Sequence, residues 1–72
     1  MKIGEIKNYL NQNIAPMAWQ RIQIRLLPEF KAKGFYFHTM TDDRELDSDI
    51  VKDINAAIKD LYGEPLPSEF LN

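Results

Sequence analysis

The sequence predicts a small α+β domain in α-β-β-α order, an antiparallel hairpin packed on two helices. Three observations carry that expectation. Apolar residues recur at helical spacing near both ends of the chain, Arg21 to Leu26 alternates polar and apolar without exception, and an aromatic, β-branched run follows Gly34. The 72 residues fit one domain, 1–72, whose last stretch, 62–72, is an apolar tail. A chain of this size buries only about 60% of its unfolded surface, so its stability depends on efficient packing or on self-association.

The first helix is predicted from Ile3, Ile6, Leu10 and Ile14, which recur at spacings of three and four. Lys2, Glu5, Lys7, Asn8 and Asn11 fall outside that stripe, and Tyr9 covers its edge. Gly4 weakens the first turn. Pro16 ends the helix by residue 14 or 15.

The first strand follows at Arg21-Ile22-Gln23-Ile24-Arg25-Leu26. Ile22, Ile24 and Leu26 face the core there, while Arg21, Gln23 and Arg25 face away. Trp19, just before it, plugs the core. Pro28 closes the strand, and Glu29 to Gly34 form a polar connection. The second strand is Phe35 to Thr41, with Phe35, Phe37 and Thr39 on one face and Tyr36, His38 and Met40 on the other. Arg44 to Asp49 forms a short third strand or an irregular turn; the pattern does not decide.

The second helix carries Ile50, Ile54, Ala57, Ile58 and Leu61 on its stripe. Asp47 or Ser48 caps it, Asp49 suits the first turn, and Gly63 followed by Pro65 ends it. The predicted core gathers Trp19, Ile22, Ile24, Phe37, Ile54 and Ile58. Leu66, Phe70 and Leu71 make the tail too apolar for a free end, so it folds back over the core or meets a second copy. An apolar second strand on a two-stranded sheet also points to a homodimer.

Most chemistries lack their residues. The chain has no cysteine and a single histidine, His38. Disulfides, thiolate zinc sites and a cysteine nucleophile are therefore out. Ser48 and Ser68 have no nucleophile context, and Gly4, Gly34 and Gly63 are isolated, so no phosphate loop exists. The reading is a protein that is not an enzyme and carries no cofactor. The alternation Asp43, Glu45, Asp47, Asp49 offers oxygen ligands, but counting from Asp43 a calcium loop would need glycine at Ser48 and glutamate at Ile54. No metal site is assigned.

No apolar stretch reaches the roughly 20 residues that cross a bilayer. Met1 to Leu10 lacks the apolar centre of a secretory signal, and a cytoplasmic, soluble protein is expected. Arg21 and Arg25, with Lys31 and Lys33 nearby, could track phosphates. The net charge of −2 and an isoelectric point near 5.2 disfavour nucleic acid.

The strongest signal is charge. Asp42, Asp43, Glu45, Asp47, Asp49 and Asp53 are opposed locally only by Arg44 and Lys52, whereas the first 34 residues carry Lys2, Lys7, Arg21, Arg25, Lys31 and Lys33 against Glu5 and Glu29. The six carboxylates are the candidate site, either as a docking face for a cationic protein partner or as a solvated turn and helix start.

The order of landmarks resembles the amino-terminal part of the YezG-type immunity proteins of bacterial polymorphic toxin systems. Its carriers are the amphipathic first helix ending near Pro16, the segment Trp-Gln-Arg-Ile-Gln-Ile-Arg-Leu from Trp19, the segment Gly-Phe-Tyr-Phe-His from Gly34, and the acidic turn before a closing helix. The resemblance covers Ile3 to about Leu61. It implies a protein that binds and neutralises a cognate toxin without catalysis. Many such toxins are cationic nucleases, which would suit an acidic face. The alternative reading is a structural or regulatory homodimeric module, of phage derivation.

Overall fold

The computed structural model describes residues 1–34, 36 and 41–71. Among them are three α-helices and no strand: α1 is Ile3–Asn13, α2 is Ala18–Ala32 and α3 is Ser48–Tyr62, followed by a 3-10 turn at Ser68–Phe70. Among the described residues the pairing of strand type is one isolated antiparallel bridge between Lys2 and Glu45. The α+β expectation is thus overturned. The first predicted strand lies inside α2. The second falls mostly outside the described residues.

The physical reason is visible once the window widens from six residues to fifteen. Within α2 the buried residues are Ala18, Trp19, Ile22, Leu26 and Phe30, spaced as a helical stripe. The alternation over Arg21–Leu26 is what such a stripe shows locally when an extra isoleucine, Ile24, sits on the opposite side. Ile22 is fully buried, whereas Ile24 is 75% exposed. Two residues apart is one face of a strand but about 200° of a helix. Ile24 is therefore not a core residue. Arginine, glutamine, leucine and alanine also favour helix.

Pro28 does not close a strand but sits within α2. It removes the N–H that would bond the Ile24 carbonyl, a change that costs about 3 kcal/mol in a helix interior. Its position is solvent-exposed, on the side where Ile24 also lies, so water can serve the freed carbonyl. The buried stripe holds the helix across the defect.

α1 follows its sequence pattern, burying Ile3, Ile6 and Leu10, with Ile14 partly buried just beyond its end. α3 buries Val51, Ile54, Ala57 and Ile58. The predicted stripe is correct at its centre and shifted at its edges: Val51 replaces Ile50, which is half-buried, and Leu61 is 38% exposed. Asp47 occupies the position before α3 with an extended backbone, and its carbonyl accepts from the Val51 N–H, but its side chain makes no capping bond. Gly63 ends α3 at φ 76°, in the left-handed region that glycine enters at least cost, and donates its N–H to the Lys59 carbonyl at 2.8 Å.

The core is a single cluster drawing on all three helices together with Leu46 and Leu66. Trp19, Ile22, Ile54 and Ile58 belong to it as expected. Phe37 lies outside the described residues. The tail folds back. Leu66 is buried, and its N–H donates to Asn55 Oδ1 at 2.7 Å. Phe70 meets Tyr9 edge-on, with ring centroids 5.3 Å apart. The apolar tail is thus absorbed within the chain. Ion pairs Arg25–Asp60 and Lys33–Asp53 link α2 to α3. One residue number rises as its partner's falls, so these two helices run antiparallel.

Candidate functional site

The acidic segment is built against the start of α1. A helix N-terminus leaves its first N–H groups without intrahelical partners. Here the Ile3 N–H donates to the Arg44 carbonyl at 3.0 Å, and the Gly4 N–H donates to the Asp42 carbonyl at 2.9 Å. The Leu46 N–H donates in turn to the Met1 carbonyl at 2.9 Å, and the Leu46 side chain is buried as a plug. These bonds hold an irregular segment in one shape. They also place the Asp42 and Glu45 carboxylates beside the positive end of the α1 dipole, while Asp47 and Asp49 stand at the start of α3.

Gly4 is the residue whose role the sequence did not disclose. A Cβ at that position would sit 3.0 Å from the Asp42 Cβ and 3.1 Å from the Asp42 carbonyl oxygen. Glycine allows the acidic segment to lie directly on the helix backbone. A glycine at the second position of an amphipathic helix is a visible signal, but only the fold says what approaches it.

The six candidate carboxylates divide into two sets. Three already meet cations of the same chain. Asp42 pairs with Lys7 at 2.8 Å, Asp53 pairs with Lys33 at 3.2 Å, and Glu45 pairs with the Met1 amine. The hydrogen bond and positive charge of that amine, with Lys2 nearby, hold the Glu45 carboxyl below its ordinary value. The other three, Asp43, Asp47 and Asp49, are exposed and make no ion pair among the described residues. Arg44 lies among them and Lys52 one turn on from Asp49, both exposed. The electrical halves of the sequence are therefore partly neutralised by folding, and within the acidic run the carboxylates left without an ion pair are Asp43, Asp47 and Asp49.

Exposed ion pairs of this kind add little to stability, because water and salt screen them. Asp42 and Glu45 can exchange an internal cation for an external one at little cost. Asp53 is half-buried, facing α2, and stands apart from the segment.

Among the described residues no three carboxylates or histidines come together as a metal-binding group. His38 is outside the described residues. Ser48 and Ser68 each open a helical turn. A shallow cleft between α2 and α3, of about 180 Å³, is lined by Arg25, Leu26, Glu29, Asp53, Ala56 and Ala57. Two of its lining residues are engaged in ion pairs, Arg25 with Asp60 and Asp53 with Lys33. Arg21 and Arg25, predicted to share a strand face, are instead one helical turn apart, and Arg25 is neutralised by Asp60. No described helix is long and apolar enough to cross a membrane. Comparisons with protein-family models, with curated proteins and with solved structures return no match.

Proposed function

We propose that this chain is a non-catalytic, cytoplasmic binding protein of the immunity or inhibitor type, which occludes a cationic protein partner with its acidic segment. One observation carries the reading: Asp43, on the stretch hydrogen-bonded to the start of α1, and Asp47 and Asp49, at the start of α3, are exposed and make no ion pair among the described residues. Clustered like charges repel one another, and a cationic partner removes that cost. Anchoring lowers the ordering penalty on binding. The resemblance to the YezG-type immunity proteins points to the same role, with a bacterial toxin as the partner. Its Trp19–Leu26 landmark is helical here, so charge and anchoring bear most of the weight.

Paired affinity capture from the native host tests the reading. One bait is the unaltered chain, and the other carries Asp43→Lys, Asp47→Lys and Asp49→Lys. A basic protein retained by the first bait and lost from the second is the expected result. Identical partners on both baits, or partners without an excess of positive charge, would overturn it.

A further inference from the structure

The outward side of α2 carries a second surface, opposite in character to the acidic segment. Met17, at the start of the helix, is 58% exposed, Ile24 is 75% exposed and Leu27 is 46% exposed. Spacings of seven and three place all three on one side of the helix, turned away from the buried stripe of Trp19, Ile22, Leu26 and Phe30. Single exposed apolar residues are ordinary on a protein surface; an aligned group with a charged rim marks a contact surface.

The rim selects the occupant. Arg21 and Lys31 interleave with the apolar residues on that side, and neither makes an ion pair among the described residues. The cations nearer α3, Arg25 and Lys33, are neutralised by Asp60 and Asp53. The one carboxylate of α2, Glu29, lines the cleft toward α3. The outward side thus presents apolar side chains and positive charge with no negative charge of its own. A symmetric pairing with a second copy through Ile24 would gather two Arg21 and two Lys31 with nothing to oppose them. Arg21 and Lys31 are two cations, short of the roughly four to eight that mark an anionic-lipid surface.

We propose that the outward face of α2 docks an acidic amphipathic protein segment, an apolar stripe rimmed with carboxylates, packed against Met17, Ile24 and Leu27 and paired with Arg21 and Lys31. This contact is independent of the acidic segment and serves a different partner surface.

Two synthetic amphipathic helices test it. They share one leucine stripe, one being rimmed with glutamate and the other with lysine, and each is titrated into the isotopically labelled chain while amide shifts are followed by NMR. The glutamate helix should give saturable shifts confined to Met17 through Lys31. Ile24→Asp, and separately the pair Arg21→Glu with Lys31→Glu, should each weaken binding at least about fivefold. Both variants alter exposed positions, and unchanged far-UV circular dichroism verifies their folding. Equal binding of the lysine helix, shifts elsewhere, or no saturable binding would overturn the proposal. So would a dimer in sedimentation, or binding to phosphatidylserine vesicles, that Ile24→Asp abolishes, since either assigns the face to another occupant.

Discussion

Ile22 and Ile24 have the same chemistry, lie two residues apart, and differ completely in surroundings. Ile22 is fully buried and Ile24 is 75% exposed. Replacing Ile22 by alanine removes three buried carbons, worth about 2.4 kcal/mol at roughly 0.8 kcal/mol each. The cavity left behind raises the cost to about 3–4 kcal/mol. That is a large share of the roughly 4–11 kcal/mol that a domain of this length possesses. Replacing Ile24 by alanine should change stability by less than about 0.5 kcal/mol. Urea denaturation followed by Trp19 fluorescence reads both, and Ile22→Val, costing about 0.5–1.5 kcal/mol, serves if the alanine variant is too unstable to measure. Losses of similar size at both positions would mean that they share a face. That would refute the helical assignment of this segment.

Three further outcomes follow from the anchoring of the acidic segment and the tail. Gly4→Ala would gain about 1 kcal/mol in an unobstructed helix interior, but here its Cβ would sit 3.0 Å from the Asp42 Cβ and 3.1 Å from the Asp42 carbonyl oxygen, so denaturation should show less than that gain; the full gain would mean that the segment does not lie on α1. Because Glu45 has a lowered carboxyl value when folded, its ion pair contributes stability above the ordinary value of 4.5 and loses it as pH falls through the folded-state value. Urea midpoints measured from neutral to acid pH should therefore decline less steeply in Glu45→Gln, and parallel curves would contradict the pairing. Asn55→Ala strands the Leu66 N–H and should cost about 1–2 kcal/mol while raising proteolysis of the tail; protection unchanged from the parent would show that the bond does not hold it.

The two outer helices were legible because their signals are local. Ile3, Ile6 and Leu10 define α1, and Ile54, Ala57, Ile58 and Gly63 define α3. α2 was misread because Ile24 completes a false alternation and Pro28 looks like a stop. Both features lie on the solvent side, where packing does not penalise them, and the decisive partners Trp19 and Phe30 stand outside the six-residue pattern. Tertiary burial overrode a short periodicity. The carboxylates of the candidate site could be named from the sequence, but their pairing could not. Lys7 and Asp42 are 35 residues apart, and only the fold brings them within 2.8 Å. The same holds for Gly4, whose purpose depends on what crosses it.

The binding role proposed for the acidic segment makes association electrostatic, and the most direct measurement is the association rate with the captured partner as a function of ionic strength. For the unaltered chain the rate should fall steeply between about 10 mM and 1 M salt, as the screening length shrinks from about 30 Å to about 3 Å. For the chain carrying Asp43→Lys, Asp47→Lys and Asp49→Lys it should be slower at low salt and nearly flat, with thermal stability retained or slightly raised. An association rate indifferent to both salt and the triple reversal would contradict the proposal and leave the segment as a solvated turn capping α1.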